Sequence, residues 1–432
     1  MIRIVPLIMV MYIVSYLDRV NVGFASVTMN ADLGLSATAY GVGAGLFFVG
    51  YVLLEVPSNL VLRRVGARRW LARIMVTWGL VAAAMSMVHN EWSFYTLRVL
   101  LGIAEAGFVP GVVFFLTLWF PRDVRGRVTG AFLMGIPFAV VLGAPLSAGL
   151  IQFGTETLGV QGWRFMFLAE GIPAVALGVA VLFLLPDRPE TVNWLSVEES
   201  TALNRKLAEE NEFAESHGLG TVAAAFKDWR VYVVAAFGFA ANIGGYALSF
   251  FLPQVITGLS ATFGTRFSLM QTALITAIPY SAAAVAIWFV GKNSDRTGER
   301  MVHIAVPLAL GAVAVGIALY LPSTIAVIVA ISIAAAGSYA IIPIFWQLPP
   351  RFLTDAAAAT GMGIIASLAN IAGFISPYIT GALKDATGDF KTGMWFVSGV
   401  MILAAALAAS VARRPEFARL RPGTQPPSRG QL

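Results

Sequence analysis

The chain alternates long apolar runs with short polar stretches along almost its whole length. A bilayer core about 30 Å thick takes roughly 20 apolar residues of helix, and each run is about that long. The pattern therefore predicts an all-α membrane protein of twelve spanning helices. We number them 1 to 12 and expect them near residues 4–28, 38–62, 72–89, 93–119, 128–153, 163–185, 231–257, 269–290, 302–320, 323–347, 357–381 and 393–412.

Composition supports a membrane protein and excludes several chemistries. Of 432 residues, 58% are hydrophobic and 12% charged, and the mean hydropathy is +0.78. The chain has no cysteine, so disulfides and thiolate sites are excluded. The three histidines lie far apart, in or beside loops. We expect neither a metal nor a cofactor, and no phosphate-binding loop indicates an ATP-driven pump.

Basic residues concentrate in alternate loops. The net charge is +6 and the sequence pI about 9.6. By the positive-inside rule these loops and both termini are cytoplasmic. The positive charge therefore orients a multi-pass protein in the bacterial inner membrane and its lipid bilayer, and no nucleic-acid partner is expected. The basic residues are Arg63, Arg64, Arg68, Arg69 and Arg73; Arg122, Arg125 and Arg127; Lys292, Arg296 and Arg300; and Arg413, Arg414, Arg419, Arg421 and Arg429.

A long polar stretch near the middle divides the chain. We expect a six-helix half over 1–185, a cytoplasmic linker over 186–230, a second six-helix half over 231–412 and a tail over 413–432. Ser196 and Glu199 have the spacing of a capping box, which predicts an amphipathic linker helix at the membrane surface. A small regulatory domain is the weaker interpretation, because so short a segment buries little core.

The two halves share landmarks at one offset. Gly66 in the loop RVGAR and Gly298 in the loop RTGER are 232 residues apart, as are Pro145 and Pro377. Two matches at one offset favour duplication of a six-helix unit, so we predict that Gly66 superposes on Gly298 and Pro145 on Pro377.

This arrangement resembles the major facilitator superfamily, and four motifs in order resemble its anion:cation symporter family. They are YLDRVN at 16–21, EVPSN at 55–59, VGARRW at 65–70 and LRVLLGIAEAG at 97–107. The resemblance implies the major facilitator fold. It also implies a cytoplasmic gate in the paired basic loops, formed by Gly66, Arg68, Asp295, Arg296, Gly298 and Arg300. Arg63 stands where the family usually has an aspartate, and simple orienting charge is the alternative role for these loops.

Charged residues inside the predicted helices are few. Each charge at a helix centre is unfavourable by about 2.5–3.5 kcal/mol, so each needs a partner or a purpose. Arg98 and Glu105 lie two turns apart on one face of helix 4. Gly102 between them is expected to admit helix 1, which would bring Asp18 and Arg19 into one cluster.

This predicted cluster has two interpretations. It is either a structural ion network between helices or the functional site. Arginine matches a carboxylate with a planar, permanently charged fork, and a buried carboxylate holds a proton more readily. The family resemblance implies substrate binding or gating by Arg19 and Arg98 and proton coupling by Asp18 and Glu105.

Uncharged polar groups inside the helices complete the candidate site. The substrate-binding candidates are Tyr51, Tyr246, Gln347 and Asn370. The resemblance implies substrate contact for Gln347 and Asn370. The alternative for each is a hydrogen bond that joins two helices.

The expected function is secondary active transport and not enzymatic catalysis. We expect a monomer that imports a small organic anion together with a proton by alternating access. The anion is a hydroxy-dicarboxylate such as tartrate, a sugar acid or an aromatic carboxylate. The alternatives are a proton-antiport exporter of metabolites or drugs and, from another class, a membrane sensor or enzyme.

Overall fold

Twelve membrane-spanning helices make up most of the chain that the structure describes. A computed structural model describes residues 4–121, 124–125, 128–129, 132, 135–216, 222–264, 266–353, 355–414 and 417. In that part, twelve helices are long and apolar enough to cross a membrane, which confirms the predicted number. Helices 1 to 6 are Val5–Leu33, Ala37–Val65, Ala67–Ala84, Glu91–Thr117, Gly135–Glu156 and Gly162–Leu184. Helices 7 to 12 are Trp229–Phe263, Leu269–Thr297, Val302–Ile317, Thr324–Phe345, Asp355–Thr387 and Lys391–Val411.

Polar side chains cap the first turn of several of these helices, just after a short loop. The Ser36 hydroxyl accepts from the Ala39 backbone N–H at 3.1 Å at the start of helix 2. Asn90 with Ser93 caps helix 4, and Ser268 with Gln271 caps helix 8. Each cap satisfies backbone donors that the helix itself leaves unpaired, so the sequence fixes where the helix begins.

The loops after helices 2 and 8 turn on a glycine. Gly66 has a φ of 95° and Gly298 a φ of 67°, which side chains rarely adopt. Pro145 lies inside helix 5 and Pro377 inside helix 11. The two landmark pairs therefore occur on corresponding elements of the two halves, and their superposition stays a prediction.

Helix 4 is broken where the sequence predicts a continuous helix. Its first segment ends at Glu105, and a second segment begins at Phe108. Gly107 between them has a φ of 86°, and a Cβ built there would overlap the Ser58 hydroxyl of helix 2. The break places the Glu105 carboxyl at the end of a helical segment.

The linker contains the expected helix, Val197–Ser216. Ser196 and Glu199 exchange hydrogen bonds of 2.9 and 3.1 Å, as a capping box does. At the end of the linker, the guanidinium of Arg230 donates to both oxygens of Asp228. These bonds hold the pKa of the Asp228 carboxyl below its usual value.

The two halves contact each other at the ends of the helices that lie opposite the linker. Asp385 at the end of helix 11 accepts from the backbone N–H groups of Ala37 and Thr38 at 3.1 and 2.7 Å. It thereby caps the start of helix 2 with a charge of favourable sign. The Tyr40 hydroxyl donates to the Phe250 carbonyl at 3.0 Å, so the halves are joined there.

Candidate functional site: a cavity between the halves

A cavity of about 170 Å³ lies between the two halves. Its lining reaches Glu55, Val109 and Trp346, which lie toward the linker ends of helices 2, 4 and 10. The cavity is therefore on the linker side of the contacts that join the halves. Its polar and aromatic lining comprises Tyr12, Tyr16, Arg19, Tyr51, Glu55, Asn242, Tyr246, Tyr339, Phe345, Trp346 and Asn370.

Arg19 is the cation in the described lining. Its side chain is 9% exposed, and one terminal nitrogen donates to the Glu105 carboxylate. The guanidinium carbon lies 5.2 Å from the ring centre of Phe47 and 5.3 Å from that of Tyr51, distances at which cation–π attraction acts. Its Nε–H is buried without a hydrogen-bond partner. The Arg19 guanidinium is thus paired with Glu105 and lies within hydrogen-bond reach of Tyr246, while its Nε–H is unsatisfied.

Glu105 provides the other half of this pair. It is 1% exposed and also accepts from the Ser15 hydroxyl at 2.9 Å. A buried ion pair is favourable only when further hydrogen bonds satisfy its atoms. Removing either partner would leave the other as an uncompensated buried charge. A change in the charge of one residue therefore changes the hydrogen bonding of the other.

Arg98 does not line the cavity, in contrast to the predicted placement. It is 1% exposed, and it donates to the carbonyls of Gly43 at 3.2 Å and Ala44 at 2.9 Å in helix 2. The reason is packing at Gly102, where a Cβ would overlap the Phe47 carbonyl. Helix 2, and not helix 1, packs against this face of helix 4.

Asp18 does not pair directly with Arg19 or Glu105, so of the predicted four-charge cluster only the Arg19–Glu105 ion pair forms. Its carboxyl accepts from the indole N–H of Trp78 at 2.7 Å. Adjacent residues of a helix point about 100° apart, so Asp18 and Arg19 do not both face helix 4. The structure brings Arg19 and Glu105 together and gives Asp18 and Arg98 other partners.

Sequence reasoning missed Glu170 in helix 6. This acid is 4% exposed and accepts from Asn21 and Ser147, each at 2.7 Å. It lies well inside an apolar helix. The rule that singles out Asp18 and Glu105 as deep charges would have found it.

The uncharged candidates divide between the cavity and its surroundings. Tyr51, Tyr246 and Asn370 line the cavity. Gln347 does not: it is exposed, because helix 10 ends at Phe345 and the chain turns away. The predicted placement of Gln347 in the site is therefore wrong for this structure.

Each of the two predicted gate loops has a local ion pair. Arg68 lies 3.1 Å from Asp187 at the start of the linker, and Arg300 lies 2.8 Å from Asp295 in the last turn of helix 8. Where the first loop has Arg63 in place of an aspartate, Asp187 supplies the missing carboxylate. Arg296 is exposed, and these two pairs do not cross between the halves.

Comparison with known proteins agrees with this architecture. Residues 8–377 match the profile of the Major Facilitator Superfamily. A protein of Agrobacterium vitis named for tartrate transport is 44% identical over 417 residues, 95% of this chain and 90% of that protein. The inner membrane transport protein RhmT of Escherichia coli is 36% identical over 402 residues, 93% of this chain and 92% of that protein.

Solved structures show the same fold. The bacterial homologue of the human lysosomal transporter Spinster, inward-facing and occupied, has a TM-score of 0.75 at 16% identity over 97% of this chain and 98% of its own. The xylose transporter XylE of Escherichia coli, partially occluded and inward open, has a TM-score of 0.76 at 15% identity over 97% and 99%. The relatives are transporters and not enzymes, as predicted. The chain is a multi-pass membrane transporter and belongs to the Major Facilitator Superfamily.

Proposed function

We propose that the protein imports a small organic anion together with a proton, by alternating access of a site between its halves. The observation that carries this proposal is the unsatisfied Nε–H of Arg19, a residue that lines the cavity. A buried guanidinium with an unsatisfied N–H favours an anionic ligand, because such a ligand removes the penalty of an unpaired donor.

Coupling follows from the shared use of Arg19. When Glu105 is ionised it occupies one edge of the guanidinium. A proton on Glu105 would weaken that bond and leave the terminal nitrogen, together with the Nε–H, for a substrate carboxylate. Proton and substrate would then promote each other's binding, as reciprocal linkage requires. Asp18 is the second proposed proton acceptor, and Arg98 is proposed to position helix 2.

The lining favours an anion that also carries hydrogen-bond donors. One oxygen of Glu55, in helix 2, is buried without a partner. A hydroxyl of the substrate would satisfy it, while the amide of Asn370 and the hydroxyls of Tyr51 and Tyr246 contact other polar atoms. These groups support a hydroxy-acid such as tartrate or a sugar acid, and the tartrate-named relatives support the same class.

Uptake into vesicles tests the proposal directly. With purified protein in liposomes, an imposed inward proton gradient is expected to drive uphill accumulation of radiolabelled L-tartrate, and an uncoupler is expected to abolish it. A monomer is expected to suffice at one protein per vesicle. Accumulation driven instead by an outward gradient would contradict import. That outcome would favour proton-antiport export, the alternative that a 38%-identical quinolone resistance transporter of Acinetobacter baumannii supports.

The proposed orientation places the linker, both termini and the basic loops in the cytoplasm of a bacterium. The alternation of basic loops supports this placement. The chain has no cysteine of its own, so a single introduced cysteine is the only thiol that can be labelled. We expect Glu210→Cys to resist an impermeant thiol reagent in intact cells, because the linker is proposed to be cytoplasmic. A cysteine at Asp389, between helices 11 and 12, is the matched control and should react. The reverse pattern would contradict the topology.

A further inference from the structure

The structure assigns a second buried site to the first half: we propose that Glu170 and Asp18, bridged by Asn21, share one proton outside the substrate cavity. The inference rests on the proposed proton coupling. Neither acid is among the residues that line the cavity. The site is therefore separate from the Arg19–Glu105 pair.

The contacts come from four helices of the first half. The Asn21 amide nitrogen lies 2.7 Å from one Glu170 oxygen and 3.5 Å from an Asp18 oxygen. Ser147 of helix 5 donates to the other Glu170 oxygen at 2.7 Å, and Trp78 of helix 3 donates to Asp18 at 2.7 Å. Both acids are thus within reach of one amide group.

The surroundings exclude water and countercharge. Asp18 and Asn21 are each 2% exposed. Helices 3 and 6 pack closely beside the site at two glycines, Gly79 and Gly171. The approach is so close that a Cβ on Gly171 would overlap the Gly79 carbonyl. Two negative charges so placed are strongly disfavoured, and a like-charged pair of this kind holds a proton on one member.

The charged groups that face the pair are acids or are already paired. The Asp18 carboxylate is repelled electrostatically by Glu170 and, more weakly, by Glu105. The hydrogen-bond partners of Glu170 are the neutral Asn21 and Ser147. The nearest arginine in sequence, Arg19, is paired with Glu105 on another side of helix 1. Among the described residues, no cation pairs with Asp18 or Glu170, so a proton is the group that removes one of the two negative charges.

The hydrogen-bond partners of the two acids indicate which of them can hold the proton. The Asn21 amide nitrogen donates to both acids and so does not distinguish them. The Ser147 hydroxyl also accepts as readily as it donates, whereas the indole of Trp78 only donates. The partners therefore favour Glu170 over Asp18 as the member that holds the shared proton in the substrate-free protein.

The site is placed to affect transport through helix 1. Asp18 and Arg19 are neighbours in sequence but have partners on different sides of that helix. Loss of the shared proton would leave two charges pressing helix 1 away from helix 6. The orientation of Arg19 toward the cavity is then linked to the protonation of a site that substrate never touches.

Infrared difference spectra of the substrate-free protein in lipid test the inference, since a protonated carboxyl has its own C=O stretch. We expect the wild type to show such a band at neutral pH, Glu170→Gln to lose the component of the band that belongs to Glu170, and the exposed-site control Glu156→Gln to keep it. Asp18→Asn should make the Glu170 band disappear at lower pH than in the wild type, by about one unit or more, because a neighbouring charge is removed.

Two results would overturn the shared proton. One is a Glu170→Gln spectrum equal to that of the wild type throughout the titration. The other is an Asp18→Asn titration in which the Glu170 band keeps its wild-type pH dependence, and this second test does not need Glu170→Gln to fold. Since no substrate is present, these results are independent of tartrate uptake. Vesicles that fail to couple protons to uptake would refute the proposed function and leave the carboxyl band standing.

Discussion

Glu105→Gln is expected to abolish proton-driven accumulation while substrate exchange continues. Glutamine keeps the shape of the acid and still accepts hydrogen bonds from Ser15 and Arg19, which now contact Glu105. It carries no charge at any pH and so imitates the protonated acid. Arg19 would stay available to the substrate carboxylate throughout the cycle, and binding would no longer depend on a proton.

The measurement pairs two assays on one vesicle preparation. Uphill uptake of radiolabelled L-tartrate under an inward proton gradient should be lost, and counterflow at equal pH should persist. Glu91→Gln, an exposed acid at the start of helix 4, is the matched control and should behave as the wild type. Unchanged accumulation with wild-type pH dependence in Glu105→Gln would make Glu105 structural, and the coupling would have to lie with Asp18 and Glu170.

The architecture was predictable because apolar length alone decides which helices span a bilayer. Twelve runs gave twelve spans, and the capping box at Ser196 was readable from two residues. These features depend on neighbours in sequence. Within the part of the chain that the structure describes, they needed no knowledge of how helices face one another.

The site was only partly predictable because it depends on rotation about helix axes. The sequence indicated that Arg19 and Glu105 would meet, and they do. It could not fix which helix packs on Gly102, and that choice sends Arg98 to the helix 2 carbonyls. Apolar runs as uniform as these do not show which way each side chain faces, so the sequence could not show that Asp18 binds Trp78 of helix 3.

Glu170 and Gln347 show the two other sources of error. Glu170 was visible in the sequence, but no motif drew attention to it, and only the contacts with Asn21 and Ser147 give it a context. Gln347 was taken into helix 10 because the apolar run continues past it. The helix ends two residues earlier, where Pro349 and Pro350 follow closely and disfavour a longer helix.

Arg19→Lys is expected to weaken substrate binding far more than Arg98→Lys does. Lysine at position 19 would still pair with Glu105, but it lacks the Nε–H that Arg19 has unsatisfied. Loss of one hydrogen bond to a charged group is worth about 1.5–3 kcal/mol, so Kd should rise roughly tenfold to a hundredfold.

Arg98→Lys is the matched control, because both arginines are buried beside the same aromatic ring. The Phe47 ring centre lies 5.2 Å from the Arg19 guanidinium and 5.1 Å from that of Arg98. Of these two arginines, Arg19 alone lines the cavity. In the Arg98→Lys variant, one of the two helix 2 carbonyls would lose its side-chain donor, so Tm should fall while Kd stays within roughly threefold. Thermal-shift titration with L-tartrate measures both quantities at once. Equal losses of affinity in the two variants would contradict the assignment, because they would place Arg98 in contact with substrate during the cycle.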